Sequence, residues 1–80
     1  MALYLLQHRH EPGECGTAFA AWKGFDSPLR DGPAWCSCLT GGHRLWLLAA
    51  APDDATALDL LPRYLAERSE VFPVSEVSIP

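Results

Sequence analysis

Apolar residues along this chain fall into blocks whose period changes from one block to the next. Leu3 to His10 is leucine-rich, carries Tyr4 inside it and stops at Pro12-Gly13, which predicts a strand followed by a turn. Glu14 to Lys23 sets Phe19 and Trp22 three apart among small residues and ends at Gly24, a short helix with a glycine stop. Asp26 to Pro33 contains Ser27-Pro28 and Asp31-Gly32-Pro33, turn chemistry at both ends of a loop. Ala34 to Thr40 and His43 to Ala51 flank Gly41-Gly42, which matches a hairpin turn whose two central residues both need positive φ. Asp53 supplies an N-cap for a helix whose apolar stripe is Ala57, Leu58, Leu61 and Leu65. Pro62 removes a backbone donor inside that stripe and should break the helix near Leu58. Phe72 to Ile79, with Val74 and Val77 between, predicts a final strand.

Strand, helix, strand, strand, helix, strand is the split βαβ pattern, so the expected class is α+β, with one ferredoxin-like βαββαβ domain over residues 1–80 and a four-stranded antiparallel sheet. The first and third strands would lie side by side in the middle. With Gly41-Gly42 as the turn, Cys38 would oppose Leu45 and Cys36 would oppose Leu47. The other face would then carry Trp35, Leu39, Trp46 and Leu48, with no helix left to cover it. A second copy of the chain, sheet against sheet about a two-fold axis, is the expected cover, making a homodimer.

In element order, in length and in the run Ala50-Ala51-Pro52-Asp53 into a helix, the chain resembles the dimeric α+β barrel superfamily. That superfamily includes small monooxygenases, muconolactone isomerases, stress-responsive barrel proteins and compact nickel-binding proteins. The resemblance implies a dimer with a cavity or site between sheet and helices, open to a small-molecule ligand. It transfers no catalytic residue, because the fold hosts unrelated functions.

Composition narrows the picture. A chain of 80 residues buries only a little over ~60% of its unfolded surface, so help from a partner subunit, a metal or disulfides is expected. With 49% hydrophobic and 20% charged residues it is too apolar to be disordered. A formal charge of -4 and no basic stripe argue against nucleic acid as a partner. The apolar runs Leu3 to Leu6 and Leu45 to Ala51 fall far short of the ~20 residues of a membrane helix. The first run also lacks the marks of a signal peptide, so the expected compartment is the cytoplasm, where an odd set of 3 cysteines reads as thiols or metal ligands.

The candidate chemistry sits at one end of the expected sheet. His8 and His10 share a strand face, His43 begins the third strand beside them, and Cys15 opens the first helix at the same end. Imidazoles with a thiolate form a ligand set for Zn(II), Ni(II) or Cu, with Glu11 and Glu14 as outer acceptors for the rings. The expected metal ligands are therefore His8, His10 and His43, with Cys15 as a fourth, and the expected cofactor is a transition metal, Ni or Zn. Cys36 and Cys38 read as core residues. Two rival readings use the same residues: a metal-free ligand-binding or protein-interaction module in which they line a polar rim, and a small isomerase or monooxygenase-like enzyme. In an enzyme, Cys15 could serve as a nucleophile with a histidine as its base, although no catalytic residue can be assigned.

Overall fold

A computed structural model describes residues Met1–Pro80. Its strands are β1 (Ala2–Arg9), β2 (Trp35–Cys36), β3 (Arg44–Ala51) and β4 (Ser69–Val74), and they form an open antiparallel sheet in the order β2-β3-β1-β4. Period-two burial fixes the sheet. Tyr4, Leu6 and His8 of β1 are buried, as are Leu45, Leu47, Ala49 and Ala51 of β3, and the pairing sets Leu6 opposite Leu47 and His8 opposite Leu45. A slip of one residue would turn both sets outward, so the register is strongly specified. Pro73 lies in β4, an edge strand, where its missing N–H is tolerated.

Three short helices, α1 (Cys15–Ala20), α2 (Asp54–Leu58) and α3 (Arg63–Ala66), accompany the sheet. Ala57, Leu61 and Leu65 join the β1 and β3 residues in one apolar core. The Asp53 carboxylate accepts a hydrogen bond from the Thr56 N–H at 2.8 Å, the N-cap expected of an aspartate there. Hydrogen bonding from the Thr56 side chain first, and from this N–H second, holds the Asp53 carboxyl below its ordinary value. The helix stops at Leu58, and Pro62 sits just before the first residue of α3, in keeping with the missing proline donor. No helix is long and apolar enough to cross a membrane.

Four local expectations are corrected. The first helix is shorter than Glu14 to Lys23: after Ala20 the chain continues in turns to Gly24, which has φ 75°. The last strand spans Ser69–Val74, and its pairing with β1 ends at Leu3 opposite Val74, so Val77 and Ile79 have no strand beside them and lie exposed. The connection between β2 and β3 is not a two-residue turn. Cys38–Thr40 coil into a 3-10 turn, Gly41 follows at φ 86°, and the N–H groups of Thr40 and Gly42 both donate to the Ser37 carbonyl. Ser37 Oγ accepts the Arg44 N–H at 3.1 Å, a local side-chain bond that competes with the strand ladder. A Cβ on Gly42 would overlap the Ser37 side chain, so the loop needs glycine there. As a result Cys36 opposes Leu45, not Leu47. Finally, Leu39 belongs to the 3-10 turn and is fully exposed, so it does not join the outer face of the sheet.

That outer face still carries Trp35, Trp46, Leu48, Leu5 and Phe72, which the pairing puts on one side. Trp35 is 55% and Leu48 44% exposed, and the Trp46 indole N–H donates to Gln7 Oε1 at 3.0 Å. The apolar outer face is therefore real, although it is built without Leu39.

Candidate metal centre

Four chain segments meet at the sheet end where β1 stops and β3 begins. The His10 N–H donates to the His43 carbonyl at 3.1 Å, extending the β1–β3 pairing past the last strand residues and fixing the two backbones side by side. His43 has φ 52°, in the left-handed region that ordinary side chains avoid. Such strain persists only where the surroundings impose it, and it concentrates at functional sites. Before α1, Pro12–Glu14 form a 3-10 turn in which Glu14 Oε1 accepts the Glu11 N–H at 3.2 Å, and this delivers Cys15 beneath His10. Cys38 is delivered by the turn after β2.

The contacts converge on two thiols and two imidazoles. His10 Nε2 lies 3.3 Å from Cys15 Sγ and 3.3 Å from Cys38 Sγ, and Cys15 Sγ lies 3.2 Å from His43 Nδ1. The ligand atoms of His10, Cys15, Cys38 and His43 all fall within 4.8 Å of one another. For Zn–S near 2.3 Å and Zn–N near 2.05 Å, a tetrahedral site spaces S from N by roughly 3.6 Å and S from S by roughly 3.8 Å. The cluster is therefore close to the dimensions of a four-ligand shell: the three short contacts would open by a few tenths of an ångström around an ion, and the widest separations would close. His10 is buried and the other three are half-buried, so one side of the site is dry and the other is reachable.

Behind His10 stands His8. Its ring is fully buried, its Nε2 lies 3.1 Å from His10 Nδ1, and Tyr64 packs against it with ring centroids 6.0 Å apart. An ion on His10 Nε2 leaves the proton on Nδ1, which then donates to His8 Nε2; outer partners of this kind fix ring orientation and tautomer. Burial pushes the His8 pKa down, opposed by the Leu65 carbonyl and reinforced by the neighbouring His10 and Arg68. A neutral His8 is the form that can accept. Its buried Nδ1 has no hydrogen-bond partner, and the nearby Leu65 carbonyl accepts from the Arg68 N–H at 3.0 Å and from Ser69 Oγ at 2.6 Å. Burial, with Cys15 as a hydrogen-bonding neighbour, pushes the Cys38 thiol up to about 11. Two thiols packed together without a cation resist ionisation, and a divalent ion reverses that balance.

Of the residues singled out from the sequence, the structure brings His10, His43 and Cys15 together and places His8 one hydrogen bond behind them. Cys38 is a correction: read as core, it belongs to the cluster. Cys36, read the same way, is exposed. The Cys38 error comes from extending β2 to Thr40; Cys36 does face the side of buried Leu45, but at the end of a two-residue edge strand it stays exposed. Glu11 and Glu14 reach no imidazole; the Glu14 carboxylate is spent on the Glu11 N–H. A usable signal was present in the spacing. His10 and Cys15 are five apart, as are Cys38 and His43, and each His–Cys contact between the pairs, His10 with Cys38 and Cys15 with His43, spans 28 residues. Two pairs of mirrored order, His-then-Cys and Cys-then-His, recur like half-sites. Comparison with known proteins finds no matching family model, no similar curated protein and no similar solved structure, so the function rests on this geometry.

Proposed function

We propose that the domain binds one transition metal ion through His10, Cys15, Cys38 and His43, and that the ion is zinc. The observation that carries this reading is the meeting of four ligand atoms within 4.8 Å from four separate segments. Two thiolates with two imidazoles in a tetrahedral set suit zinc better than nickel, the other metal expected from the sequence. Four protein ligands close the coordination shell, which favours a structural ion over a catalytic one. His8 is then a positioning residue for His10, not a ligand. Such an ion would reinforce a small core: only 13 of 80 residues are buried, and a core of that size rarely supplies more than about 3–5 kcal/mol on its own. A reducing cytoplasm, where the thiols stay reduced, suits this chemistry.

Elemental analysis of tag-free protein, followed by zinc and nickel titration against a chromogenic chelator, tests the reading. One equivalent of zinc in the wild type, lost in Cys38→Ser and His43→Ala and kept in Cys36→Ser, supports it. A wild type that takes up no metal against the chelator overturns it.

A second reading concerns the outer face. Trp35, Trp46, Leu5, Leu48 and Phe72 form an apolar surface across the sheet, and this, with the central placement of β1 and β3, supports a ferredoxin-like subunit pairing face to face as in the dimeric α+β barrels. Light scattering at micromolar concentration should report a dimer, and Trp46→Glu a monomer or insoluble protein. A monomeric wild type rejects this pairing and leaves the zinc reading untouched.

A further inference from the structure

On the helix side of the sheet, away from the outer apolar face, a cleft of about 290 Å³ opens between α1, the loop before β2 and the floor of β3. Its apolar walls include Phe19, Trp22, Leu29 and Leu47, and its remaining lining includes Arg30 and Asp31. The walls are well set: Trp22 packs edge-on against Phe25 with centroids 6.3 Å apart, and Arg30 Nη1 donates to the Phe25 carbonyl at 3.2 Å. Asp31 is held at φ 66°, one of two non-glycine residues in the left-handed region, the other being His43. Neither Arg30 nor Asp31 has an ion-pair partner; the ion pairs of this protein are Arg63 and Arg68 with Glu67.

An apolar cleft bordered by one unpaired cation and one unpaired anion, adjacent in sequence, is complementary to a ligand with an apolar group beside both charges. A volume at the bottom of the range for small-molecule sites limits that group to about one ring. We propose that the cleft binds a small aromatic zwitterion of the amino-acid type, with its ring among Phe19, Trp22, Leu29 and Leu47, its carboxylate at Arg30 and its ammonium at Asp31. The site lies on the face opposite the Trp46 surface, so pairing of sheets does not cover it, and it uses none of the four metal ligands.

Calorimetric titration with L-phenylalanine, phenylacetate and phenethylamine tests this. Saturable binding of L-phenylalanine is expected, with each singly charged analogue about tenfold or more weaker, as the loss of one charge-assisted contact implies. Arg30→Gln should remove the advantage of L-phenylalanine over phenethylamine, and Asp31→Asn its advantage over phenylacetate. Both positions are exposed and asparagine tolerates the left-handed backbone, so both variants should fold. No saturation by about 10 mM L-phenylalanine, well above a millimolar dissociation constant, overturns the proposal, as does equal binding of all three compounds. Neither outcome bears on zinc.

Discussion

The two ends of the sheet are held together by different chemistry. At the end where α2 begins, Tyr4, Ala49, Ala51 and Ala57 belong to one closed apolar cluster. At the other end the positions facing the helices are His8 and His10, and the turns around them supply Cys15, Cys38 and His43. Burial of apolar surface orders the first end under any condition that favours folding. Order at the second depends on groups whose alternatives are protonation, oxidation or an ion. One small domain therefore has an end that is stable by packing and an end whose stability is conditional.

The sharpest way to break this contrast is to withdraw the proposed zinc. Zinc held at about a thousandfold above its dissociation constant stabilises the folded state by about 4 kcal/mol, and for a domain of this size that corresponds to a melting shift on the order of 20 °C. Chelator-treated protein should show that shift. Hydrogen exchange should place the loss at one end, with faster exchange at the amides of His10, Ser37 and Arg44 and little change at the Leu6–Leu47 pairing. Uniform loss of protection would show that the two ends are not separable.

Leu61→Ala addresses the packed part. Leu61 is 2% exposed, and removing such a side chain costs about 3 kcal/mol. Urea unfolding should give that loss with and without zinc; a loss that vanishes on chelation would couple the two regions.

Substitution of His8 separates ligand from positioner. His8→Ala should retain a stoichiometry of one and a two-thiolate charge-transfer band with Co(II), while zinc affinity falls about 10–100-fold, as for other outer partners of ligating histidines. Loss of the thiolate band would make His8 part of the coordination shell.

The smallest effect belongs to Asp53. Its carboxyl is held below the ordinary aspartate value of 3.8 by the Thr56 side chain and, second, the Thr56 N–H. The folded state thus favours the ionised form, and its contribution is complete above that value and lost as pH falls through the lowered one. Asp53→Asn, which keeps a capping oxygen without the charge, should flatten this part of the acid-unfolding curve and leave zinc binding unchanged.

Legibility in the sequence follows the same division. β1 and β3 are readable because Leu3–Leu6 and Leu45–Ala51 are unbroken apolar runs bounded by turn residues, and the helix break is readable because Pro62 cannot donate. The turn after β2 is not. Gly41-Gly42 matches a hairpin by residue type, whereas the fold is decided by Ser37, whose hydroxyl and carbonyl collect the N–H groups of Arg44, Thr40 and Gly42. That single serine moves Cys38 from a strand into a coil and so into the ligand cluster. His10, Cys15 and His43 were identifiable from strand ends and helix starts, but choosing between His8 and Cys38 as ligand required knowing where β2 stops.

The brevity of β2 has a consequence for how the protein behaves in concentrated solution. Two residues pair with β3 only at Leu45 and Trp46, so the outer backbone edge of β3 from Leu47 to Ala51 has no neighbouring strand. The sequence along it, Leu-Leu-Ala-Ala-Ala, has no charge and no proline to discourage a foreign strand. The strand segment Trp35–Cys36 covers the edge only beside it, at Leu45 and Trp46, and is tethered through Cys38 of the His/Cys cluster, so loss of that tether would extend the open edge back to Leu45. With zinc in the cluster as proposed, stripping it should therefore turn a folded, dispersed protein into one that recruits copies of itself edge to edge, with fibrillar or amorphous precipitate forming well below the temperature at which the apolar end melts.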